Sequence, residues 1–375
     1  MTLTPRRIRI YCTAILVTNL FLLCIGTWRD RTYQCCGDFQ AFYNAGLILN
    51  SRPERLYDLE AQHELYVAHQ GNEADALPFV YPPFFAVACG LVARLPYVWG
   101  YFTWIAASLF LFCAGYLLVG RTWGVTGLVA ALAFPPFEFY VLRGGQVTAF
   151  GFFVLALAFY LNRNRRSLAA GIALSLLLYK PPLLLFLLPM LFLTRQWRML
   201  SGFAVGSLVL AGLSIGLVGR QGIVQYLNVL KLYSAALNSP EHIFQTYKYV
   251  DVNAAFRLLT GVPTGILRFV VLAGTFPFLC LAWLRAGNSP LSWAISVLAT
   301  LLLGVYSPIY DCSLLVLVAT WCTPRLRWLV AVFIISAVTE PFARATGIQL
   351  FTAVLACGLV FLTRSARPNL YAAVD

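Results

Sequence analysis

The sequence predicts an all-α polytopic membrane protein, one integral domain over residues 1–375. About 12 transmembrane helices are expected, with one further segment that is re-entrant or interfacial. Three observations predict this. Of the residues, 60% are hydrophobic and 11% charged, too few charges to solvate a soluble domain of this length. The apolar residues come in continuous runs of about 14–22, the length of helices crossing roughly 30 Å of hydrocarbon, and the alternating strands of a barrel are absent. Arg residues punctuate the ends of these runs, so the net charge of +13 reads as positive-inside anchoring and not as a nucleic-acid surface.

The first run, residues 8–28, follows Arg6, Arg7 and Arg9 and resembles a signal sequence. It lacks a convincing small-residue cleavage site and is read as an uncleaved span. Loop 29–98 comes next. Its acidic residues are Asp30, Asp38, Glu54, Asp58, Glu60, Glu64, Glu73 and Asp75, eight of the fourteen in the chain, against four Arg before Pro78. This reversal of charge suits an outward-facing segment. Within it Phe42, Tyr43, Ala45, Gly46, Ile48 and Leu49 follow helical spacing, and a Pro-containing loop closes on Tyr57 and Asp58. Tyr81-Pro82-Pro83 then leads into an apolar run ended by Arg94 and Pro96. At about 10–14 residues that run reads as re-entrant or interfacial. Spans are expected over 100–119, 123–141, 147–161, 168–179, 183–193, 201–218, 265–284, 291–306, 312–322, 328–339 and 348–362, with a second large loop over 219–263.

Charge parity assigns sides. Arg121, Arg163, Arg165, Arg166, Arg195, Arg198, Arg285, Arg325, Arg327, Arg364 and Arg367 all fall inside if segment 81–96 does not cross. Both termini are then cytoplasmic. Asp38, Gly144-Gly145-Gln146, Lys180-Pro181-Pro182, the stretch from Ser307 to Asp311 and loop 219–263 all face the exoplasmic side.

Each polar group on that side has two readings. Asp38 is a catalytic carboxylate or an acidic N-cap. Lys180, where two prolines break a helix, is a phosphate-binding cation or a lysine snorkelling to headgroups. Arg143, close to Gln146, is a second phosphate ligand or an interfacial anchor. Asp311, beside Tyr310, is part of the site or an N-cap complementing a helix dipole. Tyr81 borders a substrate groove or simply makes a rigid turn. Glu138 and Glu340 are weaker candidates for cavity-facing acids, and His63, His69 and His242 are given no catalytic part. The ten Cys show no metal-binding spacing, and Cys35-Cys36 reads as two free thiols or weak partners.

In order, Asp38-Phe39, Ala45-Gly46, Leu56-Tyr57-Asp58, Tyr81-Pro82-Pro83-Phe84, Gly145-Gln146, Ala170-Gly171, Lys180-Pro181, Ser307-Pro308 and Tyr310-Asp311 resemble a known series. It is that of the polyprenol-phosphate-mannose-dependent mannosyltransferases of glycosyltransferase family 87, and the resemblance extends over residues 10–320. It implies a GT-C-like fold, a multi-pass position in the inner (plasma) membrane of the cell envelope, and an active site facing outward. The implied reaction transfers a hexose, expected to be mannose, from a polyprenyl-phosphate donor to a lipid or glycan acceptor with inversion. The implied catalytic residue is Asp38; Lys180, Arg143, Gln146, Tyr81, Tyr310 and Asp311 are the candidates for binding substrate. Two positions depart from the family. Pro182 stands where a small polar residue or Gln usually follows Lys-Pro, and no acidic neighbour accompanies Asp38. No cofactor is therefore expected, although a divalent metal is left open. The rival class is a lipid or glycan transporter or flippase, which predicts mid-span charges and paired interrupted helices.

Overall fold

A computed structural model describes residues 4–29, 37–70, 78–120, 123–238, 245–262 and 265–366. Asp30, Cys35, Cys36, Glu73, Asp75, Arg121, His242 and Arg367 lie outside the described residues. The described chain is helical throughout, with one isolated antiparallel bridge between Tyr249 and Pro308. In order the helices are α1 (Pro5–Arg29), α2 (Phe39–Ser51), α3 (Leu59–Gln70), α4 (Pro83–Val92), α5 (Tyr97–Val119), α6 (Gly124–Leu132), α7 (Thr148–Arg163) and α8 (Ser167–Ser175). They continue as α9 (Leu187–Leu193), α10 (Trp197–Asn238), α11 (Val252–Thr260), α12 (Gly265–Ala286), α13 (Pro290–Leu303), α14 (Leu315–Cys322), α15 (Leu326–Thr346) and α16 (Leu350–Ser365).

Among the described residues, five helices are long and apolar enough to cross a membrane: α1, α5, α10, α12 and α15. The count is six if α6 and the π-helical turn Pro136–Leu142, bent by 52°, form one span. This makes a multi-pass membrane protein. Most of the remaining apolar runs form helices of 10–17 residues. Prolines mark several of the breaks, removing backbone donors and clashing with the preceding turn: Pro135-Pro136 splits the run 123–141 read as one span, and Pro181-Pro182 and Pro308 stand between runs read as separate. Two of these breaks carry polar residues of interest, Lys180 and the Ser307–Asp311 stretch.

Loop 29–98 holds a helical layer of its own. Helix α4 has ten residues and is about 15 Å long, half the hydrocarbon thickness. It lies close against α2 because Gly46 has no side chain; a Cβ there would sit 2.3 Å from the Cys89 carbonyl oxygen. Residues 219–263 are less loop-like than their sequence suggests. The backbone of α10 turns at Gly219 (φ 68°, ψ 179°), but 220–238 is helical again. A 3-10 turn at Thr246–Lys248 and helix α11 follow. The helical signal in 220–238 is the recurrence of Tyr226, Val229, Leu230 and Tyr233 on one face.

Candidate active site

The site begins with Phe39. Its buried ring packs against Tyr97 and Tyr101 at 5.4 Å each and against Trp104 at 5.8 Å, so α5 fixes the start of α2. The same helix fixes the turn at 143–145: Trp104 Nε1 donates to the Gly145 carbonyl at 2.8 Å, and the Tyr101 hydroxyl to the Arg143 carbonyl at 2.8 Å. Gly145 has φ +69°, and a Cβ there would meet the Phe39 Cβ at 2.6 Å. Glycine is thus required twice over, by conformation and by contact. The Asp38 N–H donates to the Gly144 carbonyl at 3.0 Å and completes the join.

That join places Asp38 beside Gln146. Asp38 occupies the N-cap position of α2, yet its side chain makes no capping bond. Its carboxylate accepts from Gln146 Nε2. An ionised carboxylate only accepts, so the amide nitrogen faces it and Oε1 faces away. Gln146 Oε1 is buried and has no hydrogen-bond partner among the described residues. A hydroxyl arriving there would meet a waiting acceptor. Burial lifts the Asp38 carboxyl above its ordinary value of 3.8, opposed by the charge of Lys248 and by the Gln146 bond. A raised carboxylate is better suited to taking a proton than an ordinary exposed one.

Lys180 sits in the break between two 3-10 turns, Leu176–Tyr179 and Pro181–Leu184. It does not snorkel outward. Only 7% of it is exposed, and its Nζ donates to Asp311 Oδ2 at 2.5 Å. Asp311 Oδ1 accepts from the Thr148 hydroxyl at 3.1 Å. The ammonium also lies over the Tyr310 and Tyr306 rings, 4.7 and 5.3 Å from their centroids.

A cavity of 340 Å³ brings Asp38, Tyr81, Gln146, Lys180 and Tyr310 together. Its size falls within the usual range for small-molecule sites, about 300–1,000 Å³. Asp311 is absent from the lining and stands behind Lys180. Arg143 lies apart, with an exposed side chain, and contributes only its backbone carbonyl to the turn. Tyr81 is held by its carbonyl, which accepts from the Tyr57 hydroxyl at 2.5 Å, and by its ring against Phe42. Glu138 is buried and does not line the cavity, and neither of its carboxylate oxygens has a hydrogen-bond partner among the described residues. Asp58 accepts from Arg55 and from the N–H groups of Glu60 and Ala61, closing the first turn of α3.

The lining also contains residues that the sequence motifs do not single out. Tyr226 and Tyr233 reach the cavity from α10, and Tyr306 from the loop after α13. The Tyr233 hydroxyl donates to Tyr306 at 3.3 Å, and the Tyr306 and Tyr310 hydroxyls are 3.1 Å apart. The seven-residue spacing of Tyr226 and Tyr233 was the available signal. Among the described residues no group of three or more His, Cys, Asp or Glu gathers. The arrangement combines a carboxylate, a buried ammonium, an orphan amide oxygen and aromatic walls.

The model of glycosyltransferase family 87 matches residues 79–308. The match takes in Tyr81, Gln146, Lys180 and Tyr306; Asp38 precedes it, and Tyr310 and Asp311 follow it. No curated protein and no solved structure gives a significant match.

Proposed function

The chain belongs to glycosyltransferase family 87, and on that premise we propose that it moves a hexose from a polyprenyl-phosphate donor to a lipid or glycan acceptor at the exoplasmic face of the inner membrane. The proposed sugar is mannose and the proposed fold GT-C-like, both by resemblance to the family. The observation that carries the reading is the meeting of Asp38, Gln146 and Lys180 around one cavity from three distant segments.

The reaction is a single displacement. Asp38 accepts the proton of the attacking hydroxyl as its oxygen bonds to the anomeric carbon. The bond from that carbon to the phosphate oxygen breaks, and negative charge builds on the departing polyprenyl phosphate. Lys180, steadied by Asp311 and Thr148, supplies preorganised positive charge toward it. Gln146 Oε1 accepts from a sugar or acceptor hydroxyl, and Tyr81 and Tyr310 supply apolar faces for the sugar ring. A retaining double displacement would need two carboxylates, one as nucleophile at the anomeric carbon and one as acid and base, and the lining carries one, Asp38. Asp311, 1% exposed and held by Lys180, is not free for the second part.

A membrane assay tests the reading. Radiolabelled polyprenyl-phosphate hexoses are offered with extracted endogenous lipids and glycans, and label is expected to pass into an acceptor. Label that crosses between leaflets while still on its donor would support the transporter instead.

Sidedness has its own test. Helix α7 carries the chain about 24 Å away from Gln146 to the Arg163–Arg166 turn. In a Cys-free background, Glu54→Cys should react with an impermeant thiol reagent on intact spheroplasts. Asn164→Cys should react only after permeabilisation. Labelling of both from one side overturns the charge-parity topology.

A further inference from the structure

The charge around the cavity is unbalanced for the donor proposed above. The lining carries one carboxylate, Asp38, and one ammonium, Lys180. Lys180 is already neutralised by Asp311, which leaves the charge of Asp38 uncompensated by the lining. A phosphodiester anion seated there adds a second negative charge, and like charges in a desolvated site repel. A further cation facing the site would offset that repulsion.

Lys248 is placed for this. It is half-buried on the 3-10 turn Thr246–Lys248, and among the described residues it forms no ion pair. The strap that carries it is tied down on two sides. Gln349 Nε2 donates to the Tyr247 and Tyr249 carbonyls at 2.9 and 3.0 Å. The Val250 N–H donates to the Ser307 carbonyl at 2.9 Å, and Asp251 Oδ2 accepts from the Ser307 N–H at 3.2 Å. Next to Lys248, the Tyr249 ring packs 5.1 Å from that of Tyr306, which lines the cavity. The strap is therefore fastened to the cavity wall one residue from Lys248, which itself stands outside the lining, and the Lys248 ammonium opposes the lift that burial gives the Asp38 carboxyl.

We propose that Lys248 is a phosphate-binding residue of this site, supplying the unneutralised ammonium that receives the phosphodiester of a polyprenyl-phosphate donor. This rests on the functional reading above. Lys180 then acts as the fixed, already paired donor, and Lys248 as the cation that balances the arriving charge. A second consequence follows for Asp38. The groups acting on or acted on by it are Lys248, Gln146 and the phenols Tyr81, Tyr233, Tyr249 and Tyr310. The phenols stay neutral near pH 7. Lys248 is thus the charged member of the set, and its removal should make Asp38 harder to ionise.

The test compares Lys248→Gln, Lys248→Arg and, as an exposed control, Lys231→Gln in detergent-purified full-length protein. Two quantities are read: KM for a polyprenyl-phosphate hexose with the pH profile of kcat/KM, and equilibrium binding of sugar-free polyprenyl phosphate. Lys248→Gln is expected to raise KM and weaken phosphate binding by about 10- to 100-fold, the scale of one charge-assisted hydrogen bond. The acid limb of its profile should move to higher pH. Lys248→Arg should stay within a few-fold of wild type, and Lys231→Gln should match it. Unchanged KM and binding in Lys248→Gln overturn the proposal, even if the acid limb moves, since Lys248 would then only tune Asp38. Weakened binding in the Arg variant as severe as in Gln overturns it as well. If no protein transfers a hexose, the functional reading fails, while binding of sugar-free polyprenyl phosphate still decides the part of Lys248.

Discussion

Asp38→Asn is expected to slow hexose transfer by about 10²- to 10⁴-fold, the usual scale for losing a general base. The substitution keeps size and an oxygen able to accept from Gln146 Nε2, so the local hydrogen bond survives. A helix cap would tolerate it, and Asp38 makes no side-chain cap bond in any case. What disappears is the basic oxygen. Binding of the polyprenyl-phosphate donor should persist, because the phosphate contacts are assigned to Lys180 and Lys248. Acidification should separate the two proteins further. The wild-type rate should fall as pH drops through the Asp38 pKa, which burial holds above 3.8, and the variant should lack that limb. Asp58→Asn is the control. Asp58 accepts from Arg55 and two backbone N–H groups at the start of α3, remote from the cavity lining, and its loss should affect transfer only a few-fold. Near-normal transfer by Asp38→Asn would falsify the assignment of the base. Lost donor binding would instead mean that Asp38 organises the site.

Lys180→Met is expected to cost about 10²-fold or more in transfer, the scale of removing one preorganised charge-stabilising donor. The buried pairing adds a second effect. Removing Lys180 leaves the Asp311 carboxylate, 1% exposed, with Thr148 as its remaining side-chain partner. Breaking a buried pair from one side costs about 3–5 kcal/mol, so the single variant should also lose thermal stability. The double variant Lys180→Met/Asp311→Asn separates the effects. With no charge left unpaired, its melting temperature should recover toward wild type while transfer stays low. Recovery of both would reduce the pair to a structural clamp. Normal transfer by either Lys180 variant would remove Lys180 from the mechanism.

Much of the site was legible in the sequence because chain breaks mark it. Gly144-Gly145-Gln146, Lys180-Pro181-Pro182 and Ser307-Pro308 interrupt apolar runs with polar residues, and helices that end inside a bundle leave backbone and side chains free to line a cavity. The all-helical class followed from composition for the same reason, since backbone polar groups in hydrocarbon must be satisfied locally. The number of full crossings was less legible. An apolar run reads the same whether it is one helix or two short ones bent at a proline, as at Pro135-Pro136.

Partnerships were not legible at all. Lys180 and Asp311 are 131 residues apart, and Asp38 and Gln146 are 108 apart, with no local spacing to announce either contact. The direction of a side chain at a helix end was equally hidden. Arg143 and Gln146 are three residues apart, yet the turn at Gly145 sends one outward and the other into the cavity. Tyr233 was hidden by the reading of 219–263 as a loop, when a break at Gly219 lets 220–238 run as a helix along the site, and Lys248 lies beyond it on a 3-10 turn that no local pattern announces.

The central claim is one displacement at the anomeric carbon, driven by one carboxylate base. The anomeric configuration of the product tests it most directly. Purified protein is given a polyprenyl-phosphate hexose of known anomeric configuration and an extracted acceptor, and the new linkage is assigned by the one-bond carbon–proton coupling at the anomeric position. The account predicts the opposite configuration to the donor's, formed without a glycosylated protein intermediate. The donor's own configuration in the product, or a hexose trapped on an Asp or Glu of the protein, would contradict it.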